Sequence, residues 1–144
     1  MKRHIQISVL IVFMALVACP NRCFTNVRAT LLSTKTAIDG AISIYVTYYQ
    51  TERESALSDL KSGKINKEEY LARKAKWEEL ESKITPLILK AAKVHNAAVD
   101  LLLLMEKGNT DIQDGRIQLE QYIIELSQLV FEINNILKEF NIIK

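Results

Sequence analysis

The sequence has 144 residues, enough for one domain, and its 49% hydrophobic and 25% charged residues are ordinary for a globular chain. Its 19 basic residues exceed the 17 acidic ones only because Lys2 and Arg3 lie in the N-terminal segment. A nucleic-acid-binding domain needs a basic face to hold phosphates. The neutral balance of the remaining chain therefore argues against nucleic acid as a partner.

The first 18 residues have the organisation of an export signal. A short basic region, MKRH, precedes the apolar run IQISVLIVFMALV. That run is shorter than the roughly 20 residues that a transmembrane helix needs. Ordinary signal cleavage favours small residues at the last and third-last positions of the leader, and Leu16 fits poorly if the cut follows Ala18. We therefore expect residues 1–18 to be a signal peptide, but not one of the ordinary secretory class.

The tetrapeptide LVAC that ends this segment resembles the lipobox of bacterial lipoprotein precursors. The resemblance covers residues 1–19 only. It implies export to the bacterial cell envelope and cleavage before Cys19. It further implies a diacylglyceryl thioether on the Cys19 sulfur and often an acyl chain, such as palmitate, on its amine. A cysteine thiol is nucleophilic enough to be alkylated selectively. The alternatives are a conventionally secreted or leader-anchored protein, or a cytosolic one. Without lipidation, Cys19 and Cys23 would form a disulfide in an exported protein or remain two buried thiols.

The rest of the chain predicts a short lipidated tether over residues 19–25 and an all-α domain over residues 26–144. Apolar residues recur at steps of three and four along three segments, near 26–61, 67–107 and 110–140. Short turns between long helices make neighbours antiparallel. We therefore predict an elongated antiparallel three-helix bundle with this expected core: Val27, Leu31, Ile38, Ala41, Tyr45, Tyr48, Trp77, Leu80, Ile84, Leu87, Ala91, Val94, Ala98, Leu101, Met105, Leu119, Ile123, Leu126, Val130, Ile133, Leu137 and Phe140.

The predicted helix ends rest on capping residues. Gly63 and Gly108 suit the left-handed position after a helix, and Asn66 with Glu69 three residues later forms the pattern of a capping box. Thr110 or Asp111 would open the third helix. Pro86 interrupts the second segment, but the apolar spacing continues through it. We favour one kinked helix there over two separate helices.

The first helix also carries a stripe of small residues opposite its apolar side. Small side chains allow two helices to approach closely, so we expect this stripe to lie in a tight helix crossing. The stripe comprises Ser33, Thr36, Gly40, Ser43 and Thr47.

Residue types that carry catalysis are sparse. His95 is the single histidine after residue 18, and no Ser/His/Asp set, phosphate-binding loop or paired-histidine motif occurs. The acidic run Glu78, Glu79 and Glu81 is typical of a solvated face, and Asp100, amid leucines, is expected on an exposed side. We predict no enzyme activity, no cofactor and no metal site.

Two functions fit this pattern. The first is a non-enzymatic envelope protein, lipid-anchored to a membrane, that binds a protein partner or forms homo-oligomers. Residues 52–83 are dense in both charges, with pairs expected at Glu69–Arg73 and Glu79–Lys83. The turn at their centre would lie farthest from the anchor, which makes Lys61, Lys64 and Lys67 the candidate partner contacts. The alternative is a carrier with an apolar ligand between its helices, lined by the small-residue stripe of the first helix and by Tyr45, Tyr48 and Tyr49.

Overall fold

The structure is a computed structural model that describes the backbone of residues 23–108 and 111–143, with side chains from Thr25 onward in those ranges. It contains three helices: α1 (Cys23–Lys61), α2 (Lys67–Glu106) and α3 (Ile112–Glu139). Each helix packs against both others. The prediction of an all-α three-helix bundle is confirmed. Residues 1–22, and with them the proposed signal peptide and Cys19, lie outside the described part of the chain.

Contacts at the two ends of the bundle establish the helix directions. Arg28, near the start of α1, pairs with Glu106 at the end of α2, and Arg73, near the start of α2, pairs with Asp59 near the end of α1. These two helices are therefore antiparallel. Gly115, near the start of α3, lies against Met105, near the end of α2. Leu137, near the end of α3, packs with Leu80 in the first half of α2. The predicted antiparallel arrangement of neighbouring helices is confirmed.

The helix ends follow from the predicted caps. Asn66 and Glu69 form the complete capping box, with hydrogen bonds of 2.9 and 2.8 Å between side chains and backbone amides. Asp111 caps α3 by accepting from the amides of Gln113 and Asp114. Gly63 and Gly108 both adopt φ of +71°, a left-handed conformation in which a side chain is strained.

The α2 helix is continuous through Pro86, so the expectation of one helix rather than two is confirmed. A proline inside a helix lacks the amide that would donate to the carbonyl four residues earlier. Pro86 is exposed to solvent, where water can satisfy the freed carbonyl. The size of any bend at Pro86 stays a prediction.

The core is apolar throughout the described residues, which include no buried polar or charged side chain. It divides into two clusters along the bundle. The first core cluster joins the start of α1 to the end of α2 and most of α3, and comprises Val27, Leu31, Ile38, Ala91, Ala98, Leu101, Leu102, Met105, Leu119, Ile123, Leu126 and Leu129. The second core cluster comprises Ala41, Leu80, Ile84, Ile133 and Leu137. Each fully buried leucine or isoleucine contributes about 1.5–3 kcal/mol.

The stripe of small residues on α1 does not lie in a helix crossing, so that prediction was wrong. All five residues are exposed, and no neighbouring atom lies within 4 Å of the position that a Cβ on Gly40 would occupy. The large side chains on the opposite side of α1, such as Leu31 and Ile38, are buried instead. Burying them removes more apolar area from water than burying Ser or Thr would.

Candidate functional site

The distal part of α1 and α2 extends beyond the end of α3. Leu137 of α3 packs with Leu80 of α2, and Glu139 pairs with Lys83. These contacts place the end of α3 level with residues 80–83. The residues of α2 before Leu80 therefore form, with the facing part of α1, a two-helix hairpin that projects by about 20 Å at 1.5 Å per residue. We call the turn and first residues on either side, 58–71, the tip.

Aromatic packing fixes the projecting hairpin. Trp77 is buried and lies edge-on to Tyr49 of α1 and Tyr70 of its own helix, with ring centroids 6.4 and 6.2 Å apart. Ala56 is completely buried between the helices. Edge-to-face aromatic pairs add about 0.5–1.5 kcal/mol each beyond their burial. The hairpin therefore holds its shape without help from α3.

The acidic residues near the turn are partly committed to internal contacts. The Asp59 carboxylate lies 3.1 Å from Arg73 Nη1 and 3.6 Å from Lys64 Nζ, and the Glu69 carboxylate accepts from the Asn66 amide. The predicted Glu69–Arg73 pair was wrong, because capping the helix and pairing with Asp59 engage these two groups separately. The predicted Glu79–Lys83 pair is confirmed at 2.9 Å.

The three candidate contact residues lie together at the tip. Lys61, Lys64 and Lys67 are all exposed. Within the described part of the chain, Lys61 and Lys67 make no ion pair, and Lys64 is 73% exposed despite its contact with Asp59. Lys61 complements the partial negative charge at the end of α1, but Lys67 sits at the N-terminus of α2, where a cation is unfavourable. The charge of Lys67 therefore does not stabilise its own helix.

The tyrosines of the carrier hypothesis face inward. Tyr45 and Tyr48 pack on the second core cluster, and Tyr49 contacts both Tyr45 and Trp77. Burial raises the pKa of the Tyr45 and Tyr48 hydroxyls, helped at Tyr45 by the nearby Glu81. The small-residue stripe faces outward on the opposite side of α1. The two features that suggested a ligand slot thus lie on different sides of the helix.

Ion pairs connect α2 to its neighbours along the bundle. Lys83 hydrogen-bonds Glu139 and Glu79, which raises the pKa of its ammonium group, and Lys90 Nζ lies 2.9 Å from Glu125. At the other end, Arg28 donates two hydrogen bonds to Glu106, and these lower the pKa of the Glu106 carboxyl. Lys35 and Asp39 also form an ion pair within α1. All these pairs are at the surface, where each contributes little to stability.

Two other residues noted in the sequence, His95 and Asp100, lie away from the tip. His95 is half-buried, and Asp100 is exposed, as was expected for Asp100. In the described ranges, no three His, Cys, Asp or Glu side chains are grouped to hold a metal ion. No helix in those ranges is both long and apolar enough to cross a membrane.

One surface of α3 was not predicted from the sequence. Ile117, Ile124 and Phe131 lie in a line on α3 and are 53%, 45% and 54% exposed. Their spacing of seven residues was the signal that could have revealed them. We call these three residues the outer stripe.

Comparison with known proteins gave no match to a family model, a curated protein or a solved structure.

Proposed function

We propose that this protein is a lipid-anchored, non-enzymatic interaction module of the bacterial cell envelope. Two parts make up the proposal: an anchor at Cys19, and a partner contact at the tip. The projecting hairpin carries the second part, because it extends beyond α3, is held by the packing of Trp77 and presents three exposed lysines.

Geometry supports a role for the tip in reaching a partner. The 39 residues of α1 span about 58 Å from Cys23 to the turn. With a lipid at Cys19, a tether of a few residues leaves the start of α1 near the membrane and the tip at the far end. Mixed surface charges set partner selectivity and association rate more than affinity, which suits a weak and selective contact.

The anchor is tested by the intact mass of the full chain expressed in a bacterium. We expect a mature N-terminus at Cys19 with diacylglycerol attached. Cys19→Ser should abolish acylation and membrane retention, whereas the matched control Cys23→Ser should leave both intact. Acyl-free protein that begins at another residue would refute the anchor.

The tip is tested by reversing the charges of Lys61, Lys64 and Lys67 to Glu. We expect almost unchanged helical content and melting temperature, because the helix-dipole effect worsens at Lys61 and improves at Lys67. Partner capture in a crosslinking pull-down should fall strongly.

The matched control for the tip reverses three exposed lysines elsewhere, Lys93, Lys107 and Lys138. Capture should survive in this control. Undiminished capture by the folded tip variant would exclude the tip as the contact site, without bearing on the anchor at Cys19.

A further inference from the structure

The outer stripe is a straight apolar ridge on the solvent side of α3. Residues seven apart on a helix lie about 10.5 Å apart and nearly on one line, so Ile117, Ile124 and Phe131 span about 21 Å. The intervening positions of the same face are occupied by the uncharged residues Gln121 and Gln128. Large apolar side chains in such a line on a solvated helix mark an interaction site more often than scattered ones do.

The rim of this ridge is acidic. At 100° per residue, Asp114, Glu125 and Glu132 lie on the side of the ridge that faces α2, and Glu120 lies on the other side. Lys90 of α2 neutralises Glu125 at 2.9 Å, and Arg116 hydrogen-bonds Glu120 at 3.4 Å.

The charge beside the ridge remains mainly negative. In the described part of the chain, Asp114 and Glu132 make no ion pair, although Glu132 is near enough to Lys90 to help raise the pKa of that ammonium group. Lys138 lies a further two turns beyond Phe131, past the end of the ridge.

This arrangement favours a basic helical partner. We propose that the outer stripe docks an amphipathic helix of another protein, whose apolar ridge repeats every seven residues and is flanked by Lys or Arg. Apolar ridges with heptad spacing interlock between two helices, and flanking charges of opposite sign select the partner. This surface is separate from the tip and does not depend on the function proposed for it.

The acidic rim argues against two other occupants. In an antiparallel pairing of two α3 helices from separate copies, the side of the ridge that carries Asp114 and Glu132 would face the same acidic side of the second copy. Like charges opposed across an interface are destabilising. A negatively charged lipid surface would be repelled by the same rim.

Two synthetic helical peptides test the proposal by fluorescence anisotropy with the full chain. Both have three heptads and the same Ile/Leu ridge, but one has Lys and the other Glu at the flanking positions. We expect the Lys-flanked peptide to bind at least about tenfold more tightly, with an affinity that falls as salt rises. Changing Asp114 and Glu132 together to Lys should reverse the preference.

Matched triple variants locate the contact. Ile117→Ser, Ile124→Ser and Phe131→Ser together should weaken binding of the Lys-flanked peptide about tenfold or more. Leu89→Ser, Leu103→Ser and Leu104→Ser remove three comparably exposed side chains from α2 and should not. Circular dichroism checks that both variants keep their helical content.

Several results would overturn the proposal. They are equal binding of the two peptides, no binding of either, and an equal loss in both triple variants. Sedimentation that shows self-association abolished by the outer-stripe variant would assign the ridge to a second copy. Binding to vesicles of anionic lipid that depends on the same three residues would assign it to a membrane.

Discussion

Two glycines within helices, Gly115 and Gly40, lie in opposite environments. Gly115 is buried in α3, and a Cβ built on it would lie 2.8 Å from Sδ and 2.9 Å from Cγ of Met105. Gly40 lies on the open side of α1, where an added Cβ would meet nothing within 4 Å. Gly115 therefore allows the Met105 side chain of α2 to pack closely on α3, whereas Gly40 only weakens α1.

We predict opposite outcomes for alanine at these positions. Gly40→Ala should stabilise the protein by up to about 1 kcal/mol, because alanine restricts the unfolded chain and favours helix. Gly115→Ala gains the same propensity but must displace the buried Met105 side chain, at a cost of about 1–3 kcal/mol. Urea unfolding of both variants measures the difference. An equal gain in both would show that Met105 moves aside freely.

Some contacts between individual residues were predictable from local sequence, and others were not. The Asn66–Glu69 capping box depends on a fixed spacing of three residues and was predicted correctly. Arg73 had two acidic groups within reach, Glu69 on its own helix and Asp59 across the turn. The choice between them depends on how the two helices of the hairpin face each other, and residue spacing within one helix does not show this.

At the scale of helices, the continuity of α2 through Pro86 is the feature with a measurable cost. The proline leaves one helical carbonyl without its donor and crowds the preceding turn. The residues on either side still pack in phase, with Ile84 and Ala91 both completely buried. Packing on both sides of the proline therefore compensates for the local defect.

We predict that Pro86→Ala stabilises the protein, by up to about 3 kcal/mol. In a continuous helix the substitution restores a hydrogen bond, whereas at the first residue of a separate helix it would have little effect. Thermal unfolding followed by circular dichroism measures the change. The control Ala92→Pro, at an exposed position of the same helix, should destabilise by a similar amount. An unchanged melting temperature for Pro86→Ala would contradict this account.

The extent of each helix could be predicted from the sequence. The sequence did not show which faces of each helix pack against a neighbouring helix. Periodicity found the buried sides of all three helices, because large apolar side chains repeat there at threes and fours. It misplaced the small-residue stripe of α1 and overlooked the outer stripe of α3. A pattern along one helix shows which faces could be covered, and only the three-dimensional arrangement shows which are.

At the scale of the whole molecule, the number of packed helices changes along its length. From the Arg28–Glu106 pair to Leu80 the section contains three helices and both core clusters. Beyond Leu80 the described chain contains two helices, held by Trp77, Ala56 and the capped turn. Less apolar area is buried per residue in the two-helix section, so its local opening should require less free energy.

We predict that amide hydrogen exchange reports this difference. Amides of α2 between Ile84 and Leu102 should be the most protected, and those of the projecting hairpin should exchange faster. Trp77→Ala should accelerate exchange at the tip and leave the three-helix section almost unchanged, because the aromatic neighbours of Trp77 among the described residues are Tyr49 and Tyr70, both in the hairpin. Uniform protection along α2 would contradict the distinction between the two sections.

The wholly apolar core has a consequence for how α3 is positioned along α2. A heptad seam without a buried polar residue lacks the device that fixes register in many coiled coils. Sliding α3 by seven residues, about 10.5 Å, would again set apolar side chains opposite one another. Besides the surface ion pairs and the Gly115–Met105 fit, the short connection between Glu106 and Ile112 limits this slip. A chain cut in that connection would lose this constraint on where α3 docks.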